Sequence, residues 1–194
     1  MITRSYISNE PVLNFWSNSK NFHSLSNFTF IEEGIEYEGL LYPCIEHAFQ
    51  AQKYIHSHRS RFSIHGDLGS WSGLNLVFSP NDYSKKYQFW SKKNNIGVIA
   101  KRATQKKIGI QLGLEIDPDF QRNDELWITL LKKKFSIKKY HDLLKSTNDL
   151  YLLEFDKGAR KNGSFWGGII HFNILHGENK MGNYLMMIRD SLNP

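Results

Sequence analysis

Three side chains in the run Glu46-His47-Ala48-Phe49-Gln50-Ala51-Gln52-Lys53 could do chemistry together: Glu46, Gln50 and Lys53. A carboxylic acid can protonate a leaving group, an amide can orient a sugar hydroxyl, and a neutral amine is a nucleophile. To cooperate, such groups must leave one rigid element on one side. Pro43 stands just before the run and suits the first turn of a helix. No Gly or Pro interrupts Cys44 to Ser57, which predicts a helix from about Pro43 to Ser57. At 100° per residue, Glu46, Gln50 and Lys53 then fall on one stripe with Phe49 beside them. The plain reading of such a stripe is a solvated amphipathic face. Phe49 argues for cover, because a large apolar ring seeks burial, and burial moves the pKa values of neighbouring charges toward catalysis.

Three other segments combine reactive or permissive residues. Phe165-Trp166-Gly167-Gly168 places a flat ring beside backbone that can approach a ligand closely, or a core tryptophan beside a turn. His176-Gly177-Glu178-Asn179-Lys180-Met181-Gly182-Asn183 reads as a glycine-containing loop opening a helix, where free N–H groups suit an anion or where Asn179 simply caps. Ser26-Asn27-Phe28 reads as a turn before a strand. The histidines show no helical His-x-x-x-His pair with a further ligand, so no metal site is expected. There is no Gly-x-Ser-x-Gly elbow. Cys44 near His47 reads as a buried helix cysteine.

The elements that must position these groups are read as follows. Residues 1–26 are polar and irregular. Phe28-Thr29-Phe30-Ile31 and the stretch from Ile35 to Leu41 flank Gly34 as a hairpin. After the Glu46 helix, residues 59–80 are loop-like. Asn81 and Asp82 cap a helix toward Lys93, and Ile96 to Leu114 forms another, blurred by Gly97 and Gly109. Asp124 to Phe135 is a helix with an acidic start and a basic end, which suits the macrodipole. A helical turn or two spans Tyr140 to Ser146, a buried strand spans Leu150 to Phe155, residues 157–163 form a basic loop, and a last helix runs Lys180 to Ser191. The sum is α+β, mainly helical, with a small mixed sheet, in one domain over residues 1–194.

Composition sets outer limits. The 194 residues are 40% hydrophobic and 23% charged, ordinary for a globular domain. The 14% of aromatic residues serve the core or stack on a ring. A net charge of +6 points to an anionic partner such as phosphate, nucleotide or nucleic acid. Lysines cluster at 85–86, 92–93, 101–102 (with Arg102), 106–107 and 132–134, as solvated faces or as a DNA-contacting surface. A single cysteine excludes an internal disulfide and fits a reducing cytosol. With no secretory apolar region and no apolar run near 20 residues, a cytoplasmic protein without membrane insertion is expected.

Taken in order, Ser26-Asn27-Phe28, the Glu46–Lys53 block, Lys134-Phe135, the run from Leu143 to Asp149, Trp166-Gly167 and the run from Asn179 to Arg189 resemble the NADAR superfamily, including YbiA-like N-glycosidases, over about residues 15–189. The resemblance implies a mainly helical domain that hydrolyses a ribose–base N-glycosidic bond without a cofactor. It implies Glu46 as acid–base, Lys53 as nucleophile and Asp149 orienting ribose hydroxyls. Around the ligand it implies Ser26, Asn27, Phe28, His47, Gln50, Trp166, Gly167, Asn179 and Gly182. Two substrates are associated with the family: ADP-ribose on guanine in DNA, removed as antidote to a DarT-type toxin, and an early phosphorylated riboflavin intermediate. The basic balance favours ADP-ribosylated DNA. A module that binds ADP-ribose or NAD without cleaving it is the third reading, opposed by the intact Glu46 and Lys53. The chain departs from the family pattern in Asn148, where Gly is usual, in lacking a carboxylate in the five residues before Trp166, and in residues 59–80, which read as a specificity insertion.

Overall fold

A computed structural model of the chain describes residues 5–79 and 95–192. The fold is α+β and mainly helical. Its contacts group into two compact units, Asn27–Lys134 and the combination of Met1–Ser26 with Phe135–Pro194.

In the Asn27–Lys134 unit, Ile35–Tyr37 pairs antiparallel with Leu40–Tyr42. The two residues between them, Glu38 and Gly39, both take positive φ (49° and 75°), as a two-residue hairpin turn of this hand requires. The hairpin therefore folds within the stretch that the sequence predicts as one strand. Glu38, a poor left-handed residue, hides the turn. Phe28 to Ile31 is no strand; Phe28 O accepts from Gly97 N–H and Ile31 N–H donates to Pro43 O.

Cys44, in extended conformation, precedes a helix from Ile45 to Ala51 whose every residue is buried. The helix stops short of Ser57 because another segment takes its backbone. Ile55 N–H donates to Glu115 O, Asp117 N–H donates to Lys53 O, and Tyr54 bridges Ile116. Lys53 is thus in the turn that follows the helix, its N–H still bonded to Gln50 O at 3.2 Å. Residues 59–80, read as loop, hold single turns at Ser60–Phe62, Trp71–Gly73 and Leu74–Val77. The helix expected from Asn81 to Lys93 lies outside the described residues. The stretch 96–114 is two helices, Gly97–Ala103 and Lys106–Gln111, separated where Gln105 turns extended. The helix Asp124–Ser136 forms as expected, with Asn123 Oδ1 accepting Leu126 N–H at 2.8 Å.

In the other unit, Val12–Phe15 pairs parallel with Tyr151–Glu154. The first of these strands lies in the segment read as irregular; Leu13 and Phe15 are its buried residues. A second hairpin, Ile169–His171 with Ile174–His176, turns at Phe172 and Asn173, both at positive φ. The strands of the described residues thus form three two-stranded ladders rather than one sheet. Helices cover Lys138–Lys145, Ala159–Asn162 in the expected basic loop, and Lys180–Ser191. Asn148 adopts the left-handed region (φ 44°), which Asn visits more readily than most residues with a Cβ. Arg189, 2% exposed, reaches back from the last helix to donate to Thr147 Oγ1 (3.1 Å) and Leu150 O (2.8 Å), fixing the turn before the strand. No helix among the described residues is long and apolar enough to cross a membrane.

Candidate functional site

The Glu46 carboxylate is 3% exposed, the opposite of a solvated stripe. Each of its oxygens accepts from an amide: Asn27 Nδ2 donates to Oε2, and Gln50 Nε2, one helical turn along, donates to Oε1 at 2.7 Å. Glu46 N–H donates to Asn27 O at 3.0 Å, so Asn27 holds the residue at both ends. Burial raises the Glu46 pKa above the usual carboxylate value, against the lowering pull of Gln50, Lys101, Lys53 and Asn27. The carboxyl is therefore rigid and inclined to hold a proton. Gln50 is 6% exposed, and its Oε1 has no hydrogen-bond partner among the described residues. With Glu46 ionised, flipping the amide would set that oxygen against the carboxylate, so Nε2 faces Glu46 and the free acceptor faces away from it. A buried acceptor without a donor costs about 1–3 kcal/mol, and a ligand O–H or N–H would recover it.

Lys53 is half-buried, its Nζ 5.4 Å from the centre of the Phe49 ring. Phe49 in turn stacks on Trp127 at 4.1 Å and meets Phe120 edge-on at 6.3 Å. Burial lowers the Lys53 pKa; Glu46 opposes that, while the charges of Arg122 and Lys101 reinforce it. Acid and amine thus have their pKa values pushed toward each other, as proton exchange near neutral pH needs. Sequence reading placed Lys101 only in a surface cluster and did not mark Arg122. Their contribution depends on where their helices and turns dock, which spacing along the chain does not encode.

His47, expected to touch the ligand, is fully buried and spent on structure. Its Nε2 bonds Leu68 O at 2.9 Å, which makes Nε2 the donor and Nδ1 the acceptor; the Cys44 thiol, 3.1 Å away, then donates to Nδ1. Burial drops the His47 pKa to about 4 and raises that of Cys44 to about 12. The pair stays neutral and offers no thiolate. Phe28, by contrast, is partly open, with Lys101 Nζ over its ring at 5.3 Å.

Ser26, Asp149, Trp166, Gly167, Asn179 and Gly182 belong to the other unit. Asp149 is exposed and Trp166 partly exposed, so both present surface to solvent. Ser26 and Asn179 have 0% exposure, and Asn179 is a clamp rather than a cap or an anion ligand. Its Oδ1 accepts from Glu154 N–H (3.0 Å) and its Nδ2 donates to Leu152 O (2.7 Å). The N–H groups of Asn179, Lys180 and Met181 donate to the carbonyls of Gly167, Phe165 and Trp166. The phosphate expected at this helix start would find those donors taken. Gly167 and Gly182 serve packing: a Cβ would stand 2.3 Å from Glu154 O at Gly167 and 2.1 Å from Leu152 O at Gly182.

No protein-family profile and no curated protein matches the chain. Among solved structures, the chain is similar to the NMR structure of the E. coli protein YbiA, with 20% identity and a TM-score of 0.51 over 96% of this chain and 88% of that one. The likeness establishes a shared architecture: this chain has a YbiA-like α+β fold.

Proposed function

We propose that the protein is an N-glycosidase that hydrolyses a ribose–base bond, with Glu46 as acid–base and Lys53 as nucleophile. The observation that carries this reading is the buried Glu46 carboxyl, clamped by Asn27 and Gln50 in the electrostatic field of a half-buried Lys53. Breaking a C1′–N bond develops positive charge on C1′ and negative charge on the base. Neutral Lys53 Nζ attacks C1′; the C1′–N electron pair leaves on the base nitrogen, which takes the Glu46 proton. The Glu46 carboxylate then removes a proton from the new C1′–Nζ adduct. The ribose ring then opens, O4′ taking that proton from Glu46 as the C1′–O4′ bond breaks, to give a Schiff base; water adds to its carbon and the C1′–Nζ bond of the carbinolamine breaks, releasing Lys53 and the free sugar. Gln50 Oε1 accepts a hydrogen bond from a sugar hydroxyl and fixes the face of attack.

The resemblance to the NADAR superfamily together with the +6 charge favours ADP-ribosylated guanine in DNA as substrate, in the role of antidote to a DarT-type toxin. The deciding experiment incubates the protein with a guanine-ADP-ribosylated oligonucleotide and, separately, with the phosphorylated riboflavin intermediate. ADP-ribose release from the first is expected. Cleavage of only the second would move the substrate assignment, and binding of ADP-ribose without product would replace the enzyme by a sensor. Borohydride should trap an adduct with the wild type and none with Lys53→Ala, and Glu46→Gln should lower kcat by about 10²–10⁴. Wild-type turnover by Lys53→Ala would end the nucleophile assignment.

A further inference from the structure

Lys101 is an exposed residue on the Gly97–Ala103 helix, outside the set that the family resemblance marks. That helix approaches the site closely because its first residue is glycine: a Cβ on Gly97 would stand 2.7 Å from Phe28 Cα. Gly97 N–H also donates to Phe28 O at 3.1 Å. One turn further on, Lys101 Nζ lies over the Phe28 ring at 5.3 Å. Phe28 follows Asn27, whose side chain and carbonyl hold Glu46. The next residue, Arg102, faces elsewhere, over the Phe78 ring at 5.0 Å and donating to Val77 O at 3.3 Å.

We propose that Lys101 is a positioning residue of the site: its ammonium pins the Phe28–Asn27 segment against Glu46 and supplies the positive field in which Glu46 and Lys53 exchange their proton. The charge of Lys101 favours ionised Glu46, the form left once its proton has gone to the base, and neutral Lys53, the form that attacks. The other charges on these groups are Lys53 acting on Glu46, and Glu46 and Arg122 acting on Lys53. Among the described residues, Lys101 is a charge outside the Glu46–Lys53 segment that acts on both groups. Cation–π contact with Phe28 gives that charge a defined place, which a freely solvated lysine would lack.

This inference rests on the N-glycosidase reading for its role but not for its test. The titrations of Lys53 Nζ and the Glu46 carboxyl are followed by NMR on the full chain, in wild type, Lys101→Met and Lys101→Arg. Removing the charge should move both pKa values upward, and Lys101→Arg, which keeps charge and ring contact, should restore both. With a cleaved substrate, both limbs of the pH–rate profile should move to higher pH in Lys101→Met, because the reacting form pairs protonated Glu46 with neutral Lys53, and should return in Lys101→Arg. Phe28→Leu, which removes the ring and leaves the charge, should reproduce part of the shift. Unchanged titrations in Lys101→Met would overturn the proposal. A shifted pair in a protein that cleaves neither substrate would leave the electrostatic role standing and remove the glycosidase reading instead.

Discussion

Burial acts on neighbouring Glu46 and His47 with opposite consequences for stability. His47 stays neutral in the fold, with its pKa near 4, and is protonated freely once unfolded. A depressed folded pKa means the stabilisation is whole above the unfolded value of about 6.5 and is lost as pH falls through 4. The loss should approach about 3 kcal/mol across that window. Glu46 has a raised folded pKa, so its contribution is present below the unfolded carboxylate value and is lost as pH rises through the folded one. Denaturation curves of wild type and His47→Gln, taken from pH 7 to pH 4, should therefore converge, because only the wild type carries the histidine term. Parallel curves would show that His47 titrates in the fold as it does in water. The free acceptor on Gln50 has no such pH signature; its effect belongs in substrate affinity.

Among the elements, the shortness of the Ile45–Ala51 helix matters most for the site. Helical spacing alone predicts Glu46, Gln50 and Lys53 in a line; the pairing of residues 53–55 with 115–117 instead stops the helix and sets Lys53 in a turn, beside Phe49. In the other unit the last helix is joined to the Tyr151–Glu154 strand by Asn179, held in the left-handed region at φ 48°. Asn179→Ala removes two hydrogen bonds, one of them fully buried, and leaves in the left-handed region a residue that tolerates it less well than Asn, at a cost of about 2–4 kcal/mol. That corresponds to a fall in Tm of about 5–15 °C. Asn179→Gly loses the same bonds without the backbone penalty and should melt about 1 kcal/mol above the alanine variant. Equal melting of all three proteins would mean the clamp carries no load.

At the scale of the whole molecule, the excess of basic over acidic residues gives the substrate proposal a measurable consequence. A protein that neutralises several phosphates of a DNA strand releases counterions, and its affinity falls steeply with salt. KM for a modified oligonucleotide should rise about tenfold or more between 50 and 200 mM salt, while KM for a single ribose-phosphate should change less than about threefold. A flat salt response with the oligonucleotide would take DNA out of the recognition surface.

How much was legible follows the range of the interactions. The Asp124–Ser136 and Lys180–Ser191 helices could be read because caps, periodicity and end charges are local signals. The contact of Glu46 with Gln50, four residues apart on one helix, was local too. The Glu38-Gly39 turn, the Val12–Phe15 strand and the 53–117 pairing were not, since each depends on a partner distant in sequence or on a residue adopting an unfavoured conformation. The sequence by itself determined which acid, amide and amine share a segment, and the helix-rich α+β class. Only the tertiary structure decided that Glu46 is buried and clamped by Asn27, that His47 and Asn179 spend their side chains on bonds within the fold, and that Lys101 lies over Phe28. Burial and long-range contact set the protonation of these groups, and neither is written in the spacing along the chain.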